Sequence, residues 1–201
     1  MQITAIEFQK KHDDRANLYI DDEFYCGISV ELVLKEQLKK GTEIDKERLD
    51  NLILEDEKHS AFAKSLKYIS GSLKTEKQIK DYLRKKEYNP NTIEYVIDKL
   101  NEYKYIDDEQ YAKSFVLTYA SKYGKLKLIS GLKNKGISDR IIDNLFDEEL
   151  ELPSNIGLVA EKYMKNKQRN PKTYMMLSRF LYSRGYEFDD INRVVSEMKK
   201  D

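Results

Sequence analysis

The sequence predicts a mainly α-helical chain in which an N-terminal β-hairpin element is followed by tandem three-helix repeats in an elongated, curved array. Three observations carry that prediction. Leu83, Leu132 and Leu181 recur at a spacing of 49 residues, each with an aliphatic residue four positions earlier (Ile79, Leu128, Leu177) and an apolar one five positions later (Tyr88, Ile137, Tyr186). A base followed by a turn-like residue stands before the last anchor each time, as Lys86-Glu87, Lys135-Gly136 and Arg184-Gly185. Strand-like alternation is confined to the stretch before Ser29, and from His59 onward the apolar residues fall at helical spacing. A unit repeated at about 50 residues or less packs on its neighbours and offers a partner an extended, repeated surface.

Taken in order, Ile3 to Phe8, Asn17 to Ile20 and Glu23 to Ile28 read as strands, with Asp21-Asp22 as the turn between the last two. Leu18 and Ile20, and then Phe24, Cys26 and Ile28, alternate with other residues as a half-buried hairpin requires. Ser29 caps a helix carrying Leu32, Val33 and Leu38 that ends at Gly41, and Thr42 to Glu57 reads as a second helix with Leu49, Leu52 and Ile53. These elements form an N-terminal region over residues 1–58.

The first repeat, 59–106, holds helices at about 59–70, 75–86 and 90–103, with Thr75 and Gln78 spaced as a capping box and Pro90 in a first helical turn. The second, 107–152, holds helices at about 108–122, 125–135 and 138–149, punctuated by Gly124 and Gly136. The third, 153–201, holds helices at about 156–168, 172–184 and 188–199, entered at Pro153-Ser154 and Pro171. No linker rich in Pro, Gly or Ser parts the repeats, so docked units are expected.

Composition excludes several classes of function. Hydrophobic residues make up 40% of the chain and charged ones 36%, which suits packed helices with solvated outer faces. No apolar run reaches the roughly 18–20 residues of a membrane span, and MQITAIEFQKK lacks the apolar stretch of a secretory signal. The single cysteine, Cys26, has no internal disulfide partner, so a cytoplasmic, reducing location is expected; it reads as a buried strand residue. Neither His12 nor His59 stands in a catalytic pattern, and there is no Cys-x-x-Cys, His-x-x-x-His or glycine-rich phosphate loop. No catalytic residue, metal or cofactor is expected.

Asp107-Asp108 is the pair that could hold a metal or share a proton. Its position before Tyr111, Ala112 and Phe115 suits helix capping better, because a carboxylate there accepts orphan backbone N–H groups at the positive end of the dipole. The 15 tyrosines invite a base-stacking reading. Tyr88, Tyr111, Tyr163 and Tyr186 fall at core offsets of the repeat, whereas Tyr119, Tyr123 and Tyr182 stand beside bases and stay open to it.

The formal net charge is zero, yet the charges segregate. Residues 1–59 carry 9 bases and 15 acids, residues 111–135 carry 6 bases and no acid, and residues 158–186 carry 7 bases and one acid. Such stripes can meet a polyanion or an acidic protein without a basic isoelectric point. Bases concentrate on the second helix of each repeat. The residues assigned to partner binding, to a protein filament or to DNA, are therefore Lys74, Lys77, Arg84 and Lys85; Lys125, Lys127, Lys133 and Lys135; and Lys172, Arg179 and Arg184. Stabilisation of the helix dipole, about 0.3–1 kcal/mol each, accounts for Lys85, Lys86, Lys135 and Arg184 but not for Lys74, Lys125 or Lys172. Lys113, Lys162 and Lys165 on the first helices are the alternative face.

The run TEKQIKDYLRKKEYNPNTIEYVIDKLNEYKYIDDEQYAKSF resembles the signature of the bacterial RecX regulatory proteins: a threonine-capped helix, a Leu-x-x-Lys turn, an Ile/Val-Leu helix, then Tyr-Ile-Asp-Asp followed by Tyr-Ala. KLKLISGLKNKGIS and MMLSRFLYSRGYEFDDI are similar to the later repeats of that family, and the N-terminal hairpin resembles the form in its Gram-positive members. Asn89-Pro90 and Lys86-Glu87-Tyr88 replace the family's usual glycine-bearing turn, so a departure from the family is expected at that turn alone. The resemblance implies tandem three-helix repeats that bind the RecA filament on single-stranded DNA in its groove. It implies modulation, mostly inhibition, of the recombinase, ATPase and co-protease activities in DNA repair, recombination and the SOS response. A monomer without cofactors is expected. The alternative is a direct DNA-binding helical repeat protein, since a basic second helix also suits helix-turn-helix docking.

Overall fold

The computed structural model describes residues 1–10, 14–149 and 155–200. His12, Pro153 and Ser154 lie outside the described residues. Three strands, β1 (Ile3–Phe8), β2 (Arg15–Ile20) and β3 (Glu23–Ser29), form an antiparallel sheet in the order β1-β2-β3. Asp21 and Asp22, at φ 49° and 70°, make the two-residue turn between Ile20 and Glu23, the backbone whose twist matches a hairpin. Ile3, Ala16, Leu18, Ile20 and Ile28 pack with Val33, Leu38, Ile44 and Leu49 into the N-terminal core. Phe24 does not join them. A register shift between Leu18 and Tyr19 sets Phe24 opposite Tyr19, 5.9 Å between ring centroids, so it leaves the Leu18–Ile28 face and is 60% exposed.

Helix α1 (Val30–Lys35) is capped by Ser29, whose Oγ accepts from Leu32 N at 3.1 Å. It ends earlier than Gly41. Gln37 takes the left-handed conformation (φ 52°), and Leu38 N donates to Val33 O at 2.9 Å, which closes the helix with Leu38 folded back into the core. The two helices predicted over 42–57 and 59–70 are one, α2 (Lys46–Ile69), capped by Asp45. The periodicity misled because α2 serves two partners. Its first half turns Leu49, Leu52 and Ile53 to the sheet core, and its second half buries Ala61 and Ser65 in the first repeat, so the apolar stripe changes face without a break in the helix. Asp56, 7% exposed, accepts from Ser29 N at 3.1 Å and pairs with Arg15 at 3.2 Å, which ties α2 to the sheet.

The first repeat is completed by α3 (Glu76–Lys85) and α4 (Pro90–Glu102). Asn89 caps α4 at 2.9 Å from Thr92 N, with Pro90 in the first turn as predicted, and Glu57 holds the Asn89 amide at 2.7 Å. The second repeat has α5 (Asp108–Tyr119), α6 (Lys125–Asn134) and α7 (Asp139–Asn144), the last running into a π turn at Leu145–Glu149. The third has α8 (Ile156–Met164), α9 (Pro171–Ser183) and α10 (Phe188–Met198). Each of the last two repeats has its own core, built on Leu128 and Leu132 in one and on Leu177 and Leu181 in the other. The chain divides into two compact units, Met1–Gly71 with Lys80–Tyr103, and Ser72–Ile79 with Lys104–Asp201.

Candidate functional site

The second helices end alike. Tyr88 N donates to Leu83 O at 3.3 Å, Ile137 N to Leu132 O at 3.1 Å and Tyr186 N to Leu181 O at 3.3 Å, and each is accompanied by a shorter bond from Glu87, Gly136 or Gly185. This is the Schellman closure, and it places Glu87 at φ 63°, Gly136 at 85° and Gly185 at 82°. The non-glycine turn at Glu87 therefore keeps the geometry of the other two.

Their beginnings explain why two of these positions are glycine. The N-terminus of α6 sits on the end of α9, with Gly124 N donating to Arg184 O at 2.9 Å and Leu126 N to Gly185 O at 3.1 Å. The start of α3 meets the end of α6 in the same way, since Thr75 Oγ1 donates to Lys135 O at 2.7 Å and Lys77 Nζ to Asn134 O at 3.1 Å. A Cβ on Gly185 would come within 2.3 Å of Lys127 N, and one on Gly136 within 2.4 Å of the Lys77 Cβ. Among the described residues the end of α3 receives no such helix start, and Lys86-Glu87-Tyr88 instead lines an open cleft with Arg15, Asp56 and Lys64. A side chain is tolerated there.

Thr75 and Gln78 form the predicted capping box, Thr75 N to Gln78 Oε1 at 3.0 Å and Gln78 N to Thr75 Oγ1 at 3.2 Å. Both aspartates of the Asp107-Asp108 pair cap helices. Asp107 accepts from Gln110 N at 2.8 Å at the start of α5, and Asp108 accepts from Glu76 N at 3.0 Å at the start of α3. Among the described residues no group of three or more His, Cys, Asp and Glu is placed to hold a metal. Cys26 is half-buried on β3, and burial pushes its thiol up to about 11.

The bases assigned from the sequence divide by what they touch. Arg84 and Lys85 lie in the first unit, the others in the second. Several are already engaged: Arg84 with Asp81 at 3.0 Å, Lys133 with Asp139 at 2.7 Å, Lys77 along Gly136, and Lys74 with Ser72 Oγ. The hydrogen bond that Lys133 donates to the Asp139 carboxylate holds its ammonium above its ordinary pKa. Lys125 lies over the Phe146 ring at 5.5 Å, while Lys135 is half-buried at the end of α6 with its carbonyl taken by Thr75. Lys127, Lys172 and Arg179 are exposed. Arg184 is held over two rings, Tyr123 at 5.3 Å and Phe180 at 5.0 Å. The structure thus brings Lys77 to the end of α6 and Lys127 to the end of α9, so bases gather where one second helix abuts the next.

Sequence reasoning named Lys162 and Lys165 as an alternative face and Arg184 as a contact residue, but missed that they meet in a cleft of about 570 Å³ between the end of α5, α8 and α9. Lys122, Lys162, Lys165, Lys167 and Arg184 line it. The excess of bases over 158–186 was its signal, but no periodicity could show that the end of α5 also faces this cleft.

Family models match along the chain: the RecX regulatory protein N-terminal domain over residues 1–45, the first RecX three-helix domain over 61–100 and the second over 107–145. The chain is 38% identical over 203 residues to the regulatory protein RecX of Clostridium tetani, covering 98% of this chain and 94% of that one. The chain belongs to the RecX family of regulatory proteins. It is 36% identical over 203 residues to the RecX of Clostridioides difficile, covering 98% of this chain and 95% of that one. A crystal structure of a regulatory protein RecX superposes with a TM-score of 0.67 at 26% identity, covering 100% of this chain and 98% of that one. The RecX structure from Lactobacillus salivarius gives 0.63 at 26% identity, covering 73% of this chain and 99% of that one. No helix among the described residues is long and apolar enough to cross a membrane.

Proposed function

We propose that this chain is a regulatory, non-catalytic protein of the cytoplasm that binds the RecA filament on single-stranded DNA as a monomer. Its effect is to restrain the recombinase, ATPase and co-protease activities of RecA. The observation that carries the reading is likeness over nearly the whole length to chains named regulatory protein RecX. The basic second helices support it, since repeated cations at matching positions suit a partner that is itself a helical repeat. Lys74, Lys77, Lys125 and Lys127, near the starts of two of these helices, with Arg84, Lys85, Lys133, Lys135, Lys172, Arg179 and Arg184, are the proposed contact residues.

The test is affinity for RecA filaments and for bare DNA across a salt series, comparing wild type with a triple variant in which Lys74, Lys125 and Lys127 are changed to Glu. Filament affinity is expected to fall while the fold persists, because substitutions at exposed positions such as Lys125 and Lys127 usually cost within about 0.5 kcal/mol each, and Lys74 is only half-buried. If the bases touch DNA phosphate instead, the salt slope on bare duplex falls by about 0.9 for each lost contact. Unchanged filament affinity in a folded variant would move the contact to the face bearing Lys113, Lys162 and Lys165.

A further inference from the structure

The cleft between α5, α8 and α9 concentrates charge of one sign. Lys122, Lys162, Lys165, Lys167 and Arg184 line it, and no acidic residue does among the described residues. None of the five forms an ion pair among the described residues. Two of the cations are gathered by aromatic rings on the cleft wall. Tyr163 and Phe180 stack at 4.5 Å, Lys167 Nζ lies 3.1 Å from the Tyr163 centroid, and the Arg184 guanidinium lies 5.0 Å from that of Phe180. A ring face holds a cation without neutralising it, so the charge stays available to an anion.

Size and shape narrow the choice of anion. A volume of about 570 Å³ is in the range of small-molecule sites. A single strand spreads its charge one phosphate per nucleotide along a groove, whereas five cations around one concavity match an anion that carries its charges together. We propose that this cleft is a binding site for clustered phosphate groups of the kind a nucleoside triphosphate carries. The phosphates lie among Lys122, Lys162, Lys165 and Arg184, and the rings of Tyr163 and Phe180 offer the apolar wall.

The experiment is calorimetric titration of the full chain, without recombinase, using ATP, inorganic tripolyphosphate and an oligothymidylate at equal phosphate concentration. ATP and tripolyphosphate are expected to bind saturably at one site. Equal affinity assigns recognition to the phosphates alone, and tighter binding of ATP assigns part of it to the rings. A variant carrying Lys162→Ala and Lys165→Ala is expected to bind both at least tenfold more weakly at an unchanged melting temperature. A control carrying Lys39→Ala and Lys40→Ala, exposed bases of the other unit, is expected to bind as wild type. Absence of saturable binding at millimolar ATP, equal loss in the control, or tight binding of the oligonucleotide alone would overturn the proposal. Because no recombinase is present, such a failure leaves the regulatory reading untouched.

Discussion

The Thr75 hydroxyl donates to the Lys135 carbonyl at 2.7 Å while accepting from Gln78 N at 3.2 Å, so one side chain caps its own helix and bonds the end of the next repeat's second helix. Thr75 is fully buried. Losing the hydroxyl leaves a helix-start N–H and a carbonyl without partners at once.

Thr75→Ala is therefore expected to destabilise the protein by about 1–2 kcal/mol, at the upper part of the range for a lost cap, and Thr75→Ser to restore most of it. Urea unfolding of the three proteins checks this. Equal stability of the alanine and serine variants would show that the hydroxyl does neither task.

The two ends of the repeat series make opposite predictions about glycine. Gly185→Ala places a Cβ 2.3 Å from Lys127 N at φ 82° and is expected to cost at least about 2 kcal/mol, strain and clash together. Glu87→Gly at φ 63° is expected to stay within about 1 kcal/mol of wild type, since relief of left-handed strain opposes the greater freedom of the unfolded chain. Melting temperatures of both variants test the contrast.

Asp107 and Asp108 are expected to behave as structural caps. Asp107→Asn retains an acceptor and leaves stability nearly unchanged, whereas Asp108→Ala removes the acceptor for Glu76 N and is expected to cost about 1 kcal/mol. Metal-dependent nuclease activity in the purified protein that disappears in Asp107→Asn would defeat this view.

Cys26 gives a pH prediction. Its thiol is raised to about 11, mostly by burial, so the folded protein holds this proton where an unfolded chain has begun to release it. The contribution of Cys26 to stability is complete below pH ~8.5, the free thiol pKa, and declines as pH rises from there. Reaction with an alkylating reagent at pH 8 is expected to be roughly two hundredfold slower than in urea, because the thiolate fraction is that much smaller. Equal rates in both conditions would refute the burial.

Much of the fold could be read locally. The strand alternation, the Asp21-Asp22 turn, the capping box at Thr75 and the three-fold recurrence of Leu83, Leu132 and Leu181 are short-range patterns, and a helix or hairpin obeys them wherever it sits. The unity of α2 was hidden for the converse reason. Its apolar stripe turns from the sheet to the first repeat between Ile53 and Ala61, so the sequence carries a change of period with no break in the backbone.

The sequence by itself determined the kind and order of the elements, though not that α2 is one helix, and the chemistry concentrated on the second helices. Tertiary structure decided what those residues are free to do. Lys77 and Lys135 are committed to the joint between two repeats and Lys133 to Asp139, whereas Lys122, at the end of α5, meets Lys162 and Lys165 of α8 in one cleft. The physical reason is reach: propensity and capping act within one helical turn, whereas hydrogen bonding and charge clustering depend on distances between residues as far apart in sequence as Thr75 and Lys135.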